Sequence, residues 1–379
     1  MTAASTYAAL LPALRAEWHA TNTLAGTVSG AFFAGYMLAV PALASMTDRV
    51  PPRRVYLAAC AALAAGAVAF AFATGPLTAV LAQALLGAGL AGTYMPGLKE
   101  LSDRVTGPYQ SRAVAFYTST FGLGNSLSLW MAGTMHAAAG WRMAFVAAAA
   151  GPLAAAALVA LALPPRPFTP ASVARVQLFG DVLRAPRIRR YVLSYAAHCC
   201  ELFAVRSWIV ALLTHAGAGA RMPASTIAAA VNLIGPPASI GGNEFAAGRR
   251  MRTVRGIMVT SAILALVTGA VANQGTLIVV AVFSVYMVAV MADSAAMTAG
   301  LVEVSPPEAR GTAMAVYSFF GFGGALAGPI VFGALLDAAG AETARHAWLR
   351  RLPGLPPSVS RALRSFATVT RLEISRDTV

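Results

Sequence analysis

At 379 residues, with 58% hydrophobic and only 11% charged side chains, the chain has too little polar surface to cover a soluble globule. Its net charge of +14 would point to nucleic acid in a soluble protein, yet the basic residues gather in short stretches between apolar runs, as the cytoplasmic loops of membrane proteins require. A nucleic-acid partner and an ordinary cytosolic enzyme are therefore both excluded. Each crossing of an apolar layer about 30 Å thick takes roughly 20 helical residues, so the length suits about a dozen crossings.

Uncharged runs mark the predicted helices in chain order. Segment 1, Thr2 to Leu14, is a stub too short to span alone, and without a basic leader it does not read as a signal peptide. Segment 2 is Leu24 to Thr47. The double-length run Val55 to Leu98 folds back at Gly75-Pro76 into segments 3 and 4. Segments 5 and 6 are Ala113 to Trp141 and Met143 to Pro165. Segment 7, Tyr191 to Thr214, is apolar but carries Glu201 and Arg206. Segment 8 is Met222 to Asn243. Gly256 to Ala292 folds back at Asn273-Gln274-Gly275 into segments 9 and 10, and Gly311 to Leu336 is segment 11.

Charge orients these segments. Assigning alternate loops to one face collects 17 basic residues there and leaves only Arg15, Arg142 and Arg221 opposite, which makes the arginine-rich face cytoplasmic. The chain divides into an N-terminal bundle (1–163), a Pro- and Arg-rich connecting loop (164–190), a C-terminal bundle (191–337) and a basic tail (338–379). The tail has seven arginines and no apolar run long enough for a twelfth helix, so the sequence reads as incomplete at both ends. Cys60, Cys199 and Cys200 all lie in apolar runs, which suits neither a disulfide framework nor a metal site. No phosphate-binding loop or hydrolase motif occurs, and neither a cofactor nor an enzymatic activity is expected.

The two bundles look like copies of one unit. Asp48-Arg49-Val50-Pro51-Pro52-Arg53-Arg54 after segment 2 has the same acid-x4-Arg-Arg spacing as Glu244-Phe245-Ala246-Ala247-Gly248-Arg249-Arg250 after segment 8. Ala113 to Thr118 likewise echoes Ala313 to Ser318 at nearly the same offset. At these residues the sequence resembles the major facilitator superfamily, whose signature reads roughly G-x-x-x-D-R-x-G-R-R. Asp48, Arg49, Arg53 and Arg54 match; Ala44 replaces the leading Gly, and Pro51-Pro52 replaces the inner one with an insertion.

The resemblance implies an all-α multi-pass protein of the bacterial inner membrane, with two six-helix bundles that rock about a central site. It also implies a cytoplasmic gate in which Asp48 holds the electropositive start of segment 11, near Ser305-Pro306-Pro307-Glu308, with Arg112 nearby and Glu244, Arg249 and Arg250 as the second copy. A competing reading makes these arginines anchors for anionic lipid headgroups.

Charges at membrane depth need partners or water. Glu201 and Arg206 lie about 140° apart around their helix and are poorly placed for each other. In the family, helices 1, 4, 7 and 10 line the cavity, which brings in Asp293 from segment 10 and Gln83 and Tyr94 from segment 4. Glu201 or Asp293 could carry a proton that couples transport, while Arg206 suits an anionic group on a small solute. His198, Tyr36, Asn125, Asn232 and Tyr286 are further polar candidates, each also readable as packing or helix glue. Gly324 to Pro329 resembles the G-x-x-x-G-P element of the family's antiporters but sits in the wrong half, which weakens an antiporter reading, and small residues four apart more simply allow close helix packing. The expectation is a proton-coupled secondary transporter of a small solute. Its rival is a membrane sensor or an inactive product that transports nothing.

Overall fold

The computed structural model describes residues 1–47, 49–105, 109–165, 183–219, 222–306 and 310–344. Its helices are α1 (Thr6–Glu17), α2 (Asn22–Met46), α3 (Pro52–Ala71), α4 (Pro76–Arg104), α5 (Gln110–Ala162), α6 (Pro186–His215), α7 (Ala224–Asn232), α8 (Gly235–Ala246), α9 (Arg250–Val271), α10 (Thr276–Ala292), α11 (Ser294–Val304) and α12 (Arg310–Ala344). Eight helices among the described residues are long and apolar enough to cross a membrane.

Where the helices turn follows local chemistry. α3, α4 and α6 each carry proline in the first turn, where the missing N–H is no loss. α5 holds predicted segments 5 and 6 together, and Gly140, at φ 83° and ψ 168°, makes the turn between them. Gly275, at φ 91°, ends the α9–α10 turn just before Thr276. One predicted segment is broken rather than continuous, and another is extended by a further helix. Segment 8 splits into α7 and α8 where Pro236 and Pro237 remove two backbone donors, and segment 10 continues past Ala292 as α11 after a break at Asp293. α6 begins at Pro186, inside the range assigned to the connecting loop, and α12 runs eight residues beyond Leu336. The loop between 166 and 182 and the tail beyond 344 lie outside the described residues.

α1 is too short to span, yet it is firmly seated. Tyr7 and Trp18 pack on Phe70, which stacks on Phe145 at 3.9 Å between ring centroids. Trp141 donates its indole N–H to Glu17, and Arg142 lies 3.7 Å from the same carboxylate. Upstream of α1, Thr2 donates to the Ala148 carbonyl and the Ser5 N–H to Ser128 on α5.

The halves meet along α2 against α12, α5 against α7, and α1 against α6. The α2–α12 seam is close because glycines face backbone: a side chain at Gly26 would strike the Pro329 carbonyl, and one at Gly333 the Asn22 carbonyl. Gly324 and Gly328 do the same for α12 against the Ala196 and Cys200 carbonyls of α6. The seam runs from Asn22 and Asp337 at the arginine-poor face to Tyr36, which stacks on Phe322 at 4.0 Å near the middle. α9 turns Val259, Ile263 and Leu266 outward, as a lipid-facing helix should.

Candidate functional site

Between the halves lies a narrow cavity, with about 480 Å³ of empty space when its open side is counted. The N-terminal half contributes Ser29, Phe32 and Phe33 from α2, Gln83 from α4, and Phe121 and Asn125 from α5. Ser5, Tyr7 and Ala8 close it from the α1 region, and α6 supplies Phe203, Arg206 and Ser207. Phe33 and Phe203 meet across the seam with ring centroids 4.4 Å apart.

Arg206 is the one basic side chain on this wall. Its guanidinium carbon sits 5.7 Å above the Phe203 ring, within cation–π reach, and Nη2 lies 3.7 Å from the Met291 sulfur. Its Nε is buried without a hydrogen-bond partner, and no carboxylate pairs with it among the described residues. Gln83, also buried, leaves its Oε1 without a partner. Asn125 accepts a hydrogen bond from Ser5 at 3.0 Å, so it both lines the cavity and fastens α1 to α5.

The two carboxylates expected at the site from the C-terminal half, Glu201 and Asp293, are not on this wall. Glu201 accepts hydrogen bonds from Tyr286 on α10 at 2.8 Å and Ser261 on α9 at 3.1 Å, tying three helices of one half together. Asp293, at the α10–α11 break, lies 2.8 Å from Nδ1 of His198, and both side chains are almost fully buried. Tyr195 stacks on His198 and on Tyr317.

Among the other expected residues, Tyr36 is buried against Phe322, and Asn232 donates to the Ala228 carbonyl of its own helix. Neither lines the cavity. Serines 5, 29 and 207 do, yet a small hydroxyl in an apolar run carries little sequence signal.

At the arginine-rich face, Asp48 lies outside the described residues, as does the Arg112 side chain. Arg49 and Arg54 are exposed, and Arg53 donates to the Ala160 carbonyl at the end of α5. In the second half Glu244 and Arg249 are exposed, while Arg250 pairs with Glu303 at 2.8 Å and donates to Asn243 at 2.7 Å. The repeat therefore joins α8 to α11 through Arg250.

The fold matches two solved structures of a bacterial homolog of the human lysosomal transporter Spinster. One is inward-facing and unoccupied (TM-score 0.78, 14% identity, covering 98% of this chain and 89% of that one). The other is inward-facing and occupied (TM-score 0.77, 14% identity, covering 98% and 90%). No curated protein matches the chain. The model of the Major Facilitator Superfamily matches residues 1–329. The chain belongs to the Major Facilitator Superfamily of membrane transporters.

Proposed function

We propose that the protein is a proton-coupled secondary transporter that moves a small solute with an anionic group through the central cavity by alternating access. The observation that supports this reading is Arg206. A guanidinium held at membrane depth with no counter-ion among the described residues is expensive unless something negative visits it, and Arg206 faces a cavity built from both halves. Its fork of donors suits a carboxylate or phosphate, the Gln83 and Asn125 amides offer polar contacts beside it, and Phe32, Phe33 and Phe203 would take an apolar body.

For coupling, the buried Asp293–His198 pair is the stronger candidate than Glu201. Asp293 stands at a helix break next to Arg206's neighbour Met291, so protonation there can be felt by the wall that moves, whereas Glu201 is engaged in holding α6, α9 and α10 together. This reading assigns the protein to a bacterial inner membrane. Uptake of radiolabelled organic anions into proteoliposomes under an imposed pH gradient tests the reading. Accumulation that collapses with a protonophore supports it, and absence of uptake across a broad anion set in folded protein would leave the non-transporting alternative.

A further inference from the structure

A helix start leaves its first four N–H groups without intrahelical partners and carries a partial positive charge. At the start of α2 those groups are taken by a residue 315 positions away, on the other half of the molecule. Asp337, on the last turns of α12, accepts from the Asn22 N–H and from Asn22 Nδ2 through Oδ1, both at 2.9 Å. Its Oδ2 accepts from the Thr23 N–H at 2.7 Å and from Thr23 Oγ1 at 2.6 Å. Thr21 caps the Leu24 N–H, so the first turn of α2 is satisfied only while α12 is docked. Arg15 on α1 braces the same point by donating to Asn22 Oδ1 at 2.9 Å.

We propose that Asp337 is the latch of the arginine-poor face: it closes the cavity there by binding the start of α2, and must let go each time that face opens. The geometry fits a latch better than a fixed strut. All four hydrogen bonds lie at one end of the α2–α12 seam and join the N-terminal half to the C-terminal half, so rotation of one half against the other breaks them together. The released groups then face water, because both partners sit at the edge of the molecule and are only partly buried, so opening costs these bonds but strands no polar group in an apolar interior.

The sequence places a counterpart at the opposite face. Asp48 follows the end of α2 as Asp337 follows the apolar run of α12, and the resemblance aims Asp48 at the start of α12. Each of these two helices would then end in an acid directed at the beginning of the other, one for each face.

This inference rests on the alternating-access reading, and its test does not use transport. Spin labels at Leu24→Cys and Leu335→Cys, both exposed positions on α2 and α12, report the opening of this face by pulsed electron resonance on the full chain in nanodiscs, with Cys60, Cys199 and Cys200 replaced by alanine. Asp337→Ala should raise the long-distance population at least about tenfold, the scale expected from losing hydrogen bonds to a charged group. Thr23→Val and Asn22→Ala, each deleting one side-chain donor, should give smaller rises. Distance distributions that match the parent's in monodisperse Asp337→Ala would overturn the latch. Should that variant fail to fold, Asp337→Asn and Thr23→Val decide by the same readout. Uptake by the parent protein is measured separately, so failure of transport and failure of the latch are distinct results.

Discussion

The imidazole of His198 lies 2.8 Å from the carboxylate of Asp293, the residue that separates α10 from α11. The pair is close but not aligned as a hydrogen bond, and both side chains are shut off from solvent. A carboxylate and an imidazole in contact are chemically able to pass a proton between them, which makes the pair a candidate for coupling.

The first prediction follows. Asp293→Asn should abolish accumulation driven by a pH gradient while sparing solute exchange, which needs no net protonation cycle. Gradient-driven uptake and counterflow, measured on the same proteoliposomes, check this. Wild-type accumulation by the variant would remove Asp293 from the coupling path. His198→Ala should instead lower stability by about 1–3 kcal/mol, because it leaves a buried carboxyl group without its neighbour.

The second concerns Arg206. Replacing it with lysine keeps the charge but loses the fork, and should raise the half-saturation concentration for an anionic solute about tenfold with expression unchanged. Arg206→Met should go further. An anionic solute handled equally well by all three proteins would show that the guanidinium does not contact substrate.

Much of this architecture is legible in the chain because long apolar runs and Gly-Pro or Asn-Gln-Gly turns are strong signals. The Gly140 turn is found within two residues of Arg142, where charge alone puts it. The break at Pro236-Pro237 is hidden, since composition stays apolar on both sides of it. The 140° between Glu201 and Arg206 correctly separates them, but which partner each finds depends on how α6 is rotated against α9 and α10. No single-helix pattern encodes that rotation. Asp337 did leave a trace: an uncharged run ending directly in aspartate, as at Thr47-Asp48, recurs at Leu336-Asp337.

Glu201 gives the third prediction. Glu201→Ala strands the Tyr286 and Ser261 hydroxyls, and should cost about 1–3 kcal/mol of stability, read as a lower midpoint of thermal unfolding in detergent. Glu201→Gln keeps one acceptor and should lose less. Accumulation should persist in the glutamine variant. If it disappears while the unfolding midpoint stays put, Glu201 carries the proton and the assignment to Asp293 is wrong.

The last prediction sets the two faces against each other. If Asp48 holds the start of α12 as the family resemblance implies, Asp48→Asn weakens closure at the arginine-rich face, whereas Asp337→Asn weakens it at the arginine-poor one. Both act on a single equilibrium between two states, so their effects on it have opposite sign. Asp48→Asn should therefore shrink the long-distance population between labels at Leu24→Cys and Leu335→Cys, and Asp337→Asn should enlarge it. Asp48 follows the end of α2 in the sequence and Asp337 binds its start, a full helix length away, so the double variant should lie near the parent, its shift the sum of the two within a few tenths of a kcal/mol. Transport should fall in both single variants, because each traps the halves on one side of the cycle. A double variant that opens as far as Asp337→Asn alone would mean that Asp48 takes no part in the balance, and that the arginine-rich face closes through other contacts.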